Sequence, residues 1–87
     1  MSETLKSGDN CLAVYRLQVD LGALGYVTSR DEFYGPSTVR AVTHFQEKHG
    51  LSMTGEADPQ TMRRIKLELQ ERARQLQGVA VAAGQVA

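Results

Sequence analysis

The 87 residues contain one cysteine, two prolines and no tryptophan, and their formal net charge is zero. Cys11 stands alone, which excludes an intrachain disulfide and a cysteine-rich metal site; a lone thiol of this kind is expected to act as a small buried or half-buried apolar residue. The balance of ten basic and ten acidic groups gives no overall attraction to nucleic acid or to an anionic membrane. No apolar run approaches the roughly 20 residues of a membrane span. The opening MSETLKSGDN is polar and acidic, without the basic and apolar regions of a secretory signal, so the chain as written is expected in the cytoplasm. What remains is ordinary for a small globular domain with one core: 41% hydrophobic and 23% charged residues.

The stretch around which the rest is arranged is Tyr34 to Gln46. Gly35 gives backbone freedom, Pro36 presets φ for a first helical position, and Ser37 and Thr38 are placed to bond the free amides of a helix start. Val39, Val42, Phe45 and His49 then follow at steps of three, three and four, one face of a helix that Gly50 closes. A first helix is expected from about residue 11 to 24. Asp9 or Asn10 would cap it, and Val14, Leu17, Leu21 and Leu24 would face the core. Gly22 within it suggests a tight helix crossing. A third helix is expected over residues 58–77, capped by Asp58 with Pro59 in its first turn, striped by Met62, Ile65, Leu69, Ala73 and Leu76, and stopped by Gly78.

The first two helices share a pattern. Ala13-Val14-x-x-Leu17-Gln18 and Ala41-Val42-x-x-Phe45-Gln46 lie 28 residues apart, and each has a glycine four residues after the glutamine. Two helix-plus-loop units of an internal repeat would bury one another's apolar sides.

Little here has the makings of catalysis. His44 and His49 are five residues apart, about 140° around a helix, so they do not share a face as zinc ligands do. The pairs Asp31 with Glu32 and Glu56 with Asp58 fit capping and solvated loops better than acid and base. Binding asks for less. Between Tyr26 and the first half of the second helix lie Asp31, Phe33, Tyr34, Ser37, Thr38 and Arg40, an aromatic and polar set, with core packing as the competing role for Tyr34. Arg40 adds a guanidinium able to fork onto a carboxylate.

The order of the motifs is that of a known family. Gly8-Asp9, Leu17-Gln18, Leu24-Gly25-Tyr26, Asp31, Tyr34-Gly35-Pro36, Thr38, Ala41-Val42, Phe45-Gln46, Gly50-Leu51, Thr54-Gly55, Asp58 and Thr61 together resemble the three-helix bacterial peptidoglycan-binding domain. That domain is found beside the catalytic domains of cell-wall hydrolases and phage endolysins, and in related form in matrix metalloprotease propeptides. The chain departs from it at Cys11 and at Glu32, where the family usually has glycine, and at Met62, where it has an aromatic residue. The resemblance implies a non-catalytic wall-binding module that takes peptidoglycan as its ligand and brings an attached or partner hydrolase to the wall. It also implies action in the wall or periplasm after phage-type release.

The expected fold is therefore all-α: a compact three-helix bundle with an internal helix-loop repeat and an extended C-terminal helix. Residues 1–66 would form the domain, 67–77 a helical extension and 78–87 a flexible tail or linker. No catalytic residue, metal ligand or cofactor is assigned, and no membrane contact. The ligand set is Asp31, Phe33, Tyr34, Ser37, Thr38 and Arg40. Because the third helix outruns the domain, Leu69, Arg72, Ala73 and Leu76 would meet a partner, possible occupants being a second copy of the chain as a homodimer or a following domain. Fold-back of residues 1–7, with Leu5 against Leu69, is the intrachain alternative. Two other functions compete. One is a protein-protein assembly module that reuses the fold through its long third helix. The other is a helix-turn-helix binder of nucleic acid reading through Arg63, Arg64 and Lys66, against which the zero net charge weighs.

Overall fold

The computed structural model describes residues 4–86, with side chains described over 4–75. Three helices follow in order: α1 over Leu12–Ala23, α2 over Pro36–Lys48 and α3 over Pro59–Val86. Among the described residues no strand forms, but two isolated antiparallel bridges, Leu5 with Ala57 and Asn10 with Phe33, tie the N-terminal segment to the two inter-helix loops.

The core is built from the predicted stripes. Val14, Leu17 and Leu21 of α1, Ala41, Val42 and Phe45 of α2, and Ile65 of α3 are buried, and Leu24, Val39, Met62 and Leu69 pack at its edge. Phe45 is fully enclosed, with the Tyr26 ring edge-on at 5.9 Å and the His49 ring tilted against it at 4.4 Å. Burying a ring of that size is worth roughly 1.5–3 kcal/mol, so Phe45 is a principal anchor of a domain this small. Leu5 joins the core through its bridge to Ala57.

α1 and α2 end in the same way. Tyr26 N–H donates to Leu21 O at 2.9 Å and Gly25 N–H to Gly22 O at 3.0 Å; Leu51 N–H donates to Gln46 O at 2.8 Å and Gly50 N–H to Glu47 O at 3.3 Å. These are the paired bonds of a Schellman cap, and Gly25 at φ 95 and Gly50 at φ 70 supply the left-handed residue that it requires. The repeat read in the sequence is thus a repeat of structure.

The helix starts differ from expectation in two cases. α1 begins after Cys11, which is extended and exposed and makes no side-chain cap; its N–H donates to Glu32 O at 3.0 Å, while the Asp9 carboxylate accepts from Lys6 N–H at 2.9 Å. The loop between α1 and α2 thus holds the start of α1, which no local motif announces. α2 begins after Gly35 without a side-chain cap, because the hydroxyl of Ser37 is engaged by Ser29 of the loop and that of Thr38 by Gln18 of α1. α3 is capped as expected: Asp58 Oδ1 accepts from Thr61 N–H at 2.8 Å. Gly22 marks no helix crossing; the Arg30 guanidinium lies over it, 3.1 Å from where a Cβ would stand.

α3 continues through Gly78 to Val86. An interior glycine costs only about 1 kcal/mol, and neither a proline nor a left-handed cap follows it. Two residues of the expected partner strip make contacts within the chain. Leu69 packs on the core, and Arg72 Nη1 donates to Ala23 O at 2.9 Å, a cation placed on the carbonyl end of α1. Ala73 is exposed, and the side chain of Leu76 lies outside the described residues. No helix is long and apolar enough to cross a membrane among the described residues.

Candidate functional site

Two buried glutamines organise the loops. Gln18 Nε2 donates to Phe33 O at 2.9 Å, Thr38 Oγ1 at 3.1 Å and Asp31 Oδ1 at 3.2 Å, and its Oε1 accepts from the N–H groups of Asp31 at 3.0 Å and Glu32 at 3.2 Å. Gln46 does the same one unit later. Its Nε2 donates to Glu56 O at 2.9 Å, Thr61 Oγ1 at 3.0 Å and Thr54 Oγ1 at 3.2 Å, and its Oε1 accepts from Gly55 N–H at 3.0 Å. Each amide thus clamps the loop that leads into the next helix and a threonine in that helix's first turns.

These clamps decide where the expected ligand residues lie. Thr38 is fully buried, held by Gln18 and 3.0 Å from Thr28 Oγ1. Tyr34 is also fully buried, and its hydroxyl donates to Gly55 O at 2.6 Å. Burial and the charge of Glu56 push the Tyr34 phenol far above its ordinary range, so it stays a neutral donor. Both residues are structural and offer no surface to a ligand. Asp31 is exposed, but its Oδ1 accepts from Phe33 N–H at 3.1 Å, from Gln18 and from Ser29 Oγ at 3.2 Å. The Phe33 N–H and then the Gln18 amide hold its carboxyl below the usual aspartate range. Ser37 Oγ accepts from Ser29 N–H at 3.2 Å, and the half-exposed Phe33 ring lies over Gly35. The sequence set therefore divides: Tyr34 and Thr38 are buried, Asp31, Phe33 and Ser37 brace the loop and the start of α2 while remaining at least partly exposed, and Arg40 is exposed on the surface of α2.

Arg40 lies between two surface hollows. One, of about 320 Å³, is lined by Gly25, Tyr26, Val27, Arg40, Ala41 and His44; the other, of about 360 Å³, by Ser7, Pro36, Val39, Arg40, Thr43 and His44. Arg40 and His44 are exposed, one turn apart on the same face of α2, and they border both hollows. Val27 is 91% exposed, a bare apolar side chain at the rim. Tyr26 presents an aromatic ring wedged on Phe45, and burial and the nearby charge of Glu68 raise its phenol pKa, so it too remains a hydroxyl donor. Sequence reasoning took Arg40 from this surface and missed Tyr26, Val27 and His44. The spacing of Arg40 and His44, four residues apart at positions between the apolar stripe of α2, was the available signal.

A larger hollow of about 550 Å³ lies along α3, lined by Leu51, Gln60, Arg63, Arg64, Lys66, Leu67 and Gln70. Arg64 there is 3.2 Å from the Glu68 carboxylate, which also faces His49 Nδ1 at 3.7 Å. Only two of the three cations expected to read nucleic acid are thus clear of an ion pair among the described residues, and that reading is not favoured.

Comparison with known proteins places the chain in a family. The family described as "Putative peptidoglycan binding domain" matches residues 12–65, more than half of the chain. Among solved structures, a fused zinc-dependent amidase/peptidase/peptidoglycan-binding domain-containing protein from Clostridium acetobutylicum is 35% identical with a TM-score of 0.71, over 75% of this chain and 29% of that one. The Burkholderia AP3 phage endolysin is 40% identical with a TM-score of 0.70, over 72% of this chain and 24% of that one. The SleB N-terminal domain is 30% identical with a TM-score of 0.73, over 76% of this chain and 92% of that one. The chain spans less than a third of the first two. No curated protein matches it.

Proposed function

The chain belongs to the peptidoglycan-binding domain family, and from that premise we propose that it binds peptidoglycan at the bacterial cell wall and brings a hydrolase, attached or separate, to its substrate. The observation that carries this reading is the family match over residues 12–65, all three helix starts included. The hydrolase partner is supported by the company kept by the matched structures: one is fused to an amidase/peptidase and another is an endolysin. The module itself acts without catalysis. Its gain is one of local concentration, since a weak contact repeated along a polymer keeps a tethered enzyme near its bonds.

The ligand surface is the outer face of α2, with Arg40 and His44 between the two hollows. A shallow, largely apolar surface with a ring, an apolar rim residue and a cation, here Tyr26, Val27 and Arg40, suits an amphipathic sugar-peptide better than a flat protein partner. Co-sedimentation of the purified chain with bacterial sacculi tests the reading. Retention in the pellet, displaced by soluble wall fragments, is the expected result. Failure to pellet with sacculi of any wall type, while a known wall binder pellets beside it, would overturn it.

A further inference from the structure

Neither hollow on α2 has a carboxylate in its lining, and the same two side chains, Arg40 and His44, border both. Residues four apart on a helix stand about 5–6 Å from one another, so the pair forms a ridge one turn long between two concavities. Among the described residues Arg40 takes no part in an ion pair, although carboxylates engage His49, Arg64 and Arg74 elsewhere. The floor on one side is the Tyr26 ring and Ala41; on the other it is Val39 and Pro36. An apolar floor beside an unpaired guanidinium favours an anion that brings its own apolar or sugar body, because such a body displaces water from the ridge and strengthens the charged contact.

Building on the wall-binding reading, we infer that the α2 ridge is a carboxylate subsite, at which a wall peptide lies across α2 with a free carboxylate forked by Arg40 and flanked by His44, its two arms resting in the two hollows. The chemistry is that of a peptide acid on a sugar carrier. A neutral glycan alone would leave the guanidinium without a charged partner.

The test uses the whole 87-residue chain and two soluble disaccharide-tetrapeptide probes, one with free carboxylates and one with them amidated, titrated by calorimetry. Wild type should bind the free acid about tenfold or more tighter than the amide, the usual worth of a charge-assisted bond. In Arg40→Gln that preference should collapse to within about twofold, and Arg40→Lys, which keeps the charge and loses the fork, should fall between them. Arg63→Gln, on α3 away from the ridge, should bind as wild type does. Thermal melting checks that each variant is folded, which the exposure of Arg40 favours. Equal wild-type affinity for acid and amide, or an unchanged preference in Arg40→Gln, would overturn the subsite while sacculus binding still upheld the wall reading. Absence of wild-type binding to both probes and to sacculi would overturn both.

Discussion

Gln18 and Gln46 perform one task in two settings, and the difference between them explains which loop is sealed and which is open. Around Gln46 the loop position that takes positive φ is Gly55, at φ 76, and a Cβ there would stand 3.3 Å from both Thr43 Oγ1 and Val39 Cγ1. Around Gln18 the corresponding position is Glu32, at φ 66, exposed. The acceptor beside it is Thr54 in the first case and Asp31 in the second, a neutral hydroxyl against an ionised carboxylate. The sealed clamp needs glycine for both backbone and space. The open one tolerates a side chain in a left-handed conformation at an energetic cost, because nothing is packed against it.

That contrast is broken most severely at Gln46. Gln46→Leu leaves the buried Gly55 N–H and Thr61 hydroxyl unpartnered and should lower stability by about 3–4 kcal/mol, whereas Gln18→Leu, whose loop partners reach water, should cost roughly half as much. Urea unfolding of the two variants gives the comparison; equal losses would mean that the clamps are energetically alike. Gly55→Ala should come next, at about 2–3 kcal/mol, combining left-handed strain with overpacking against Val39 and Thr43.

Much of this was legible in advance. The apolar stripes, the glycines that close α1 and α2 and the repeated A-V-x-x-apolar-Q gave the helices and the core, because those features are set by neighbours three and four residues away, whereas Gly78 did not stop α3. The roles of Asp9, Ser37 and Thr38 were not legible. Their oxygens and amides are claimed by contacts with residues distant in sequence, such as Gln18 with Thr38, and hydroxyls that could cap a helix locally serve a clamp instead. Tyr34 drew attention as a ring at a loop end, and only the position of Gly55 O reveals that its hydroxyl points inward. On α3, periodicity exposed the stripe but not its destination, since the core reaches out to Leu69 and α1 presents Ala23 O to Arg72.

Two smaller effects sharpen the comparison. Glu32→Gly should stabilise the fold by about 0.5–1 kcal/mol, the relief of left-handed strain less the added freedom of the unfolded chain; a loss of stability would mean that the Glu32 side chain makes a favourable contact of its own. Asp31 makes the open clamp sensitive to acid. Its folded pKa lies below the unfolded value of about 3.9, so its contribution is complete above that value and is lost as pH falls through the lowered one. Asp31→Asn keeps an acceptor oxygen but not the charge, so it should lower neutral stability toward the wild type's acid-side value and flatten the acid limb below about pH 4. Thermal melts of wild type and variant from neutral to strongly acidic pH read this directly, and superimposable acid limbs would rule it out.

The central claim is that a wall fragment sits on the exposed face of α2 and leaves the sealed clamp untouched. Backbone amide shifts recorded while a soluble disaccharide-tetrapeptide is added test it residue by residue. Shifts concentrated at Tyr26, Val27, Val39, Arg40 and His44, with Gln46, Gly55 and Thr61 unmoved, are the predicted result. Shifts centred on Arg63, Lys66 and Leu67 of α3, with α2 silent, would contradict it.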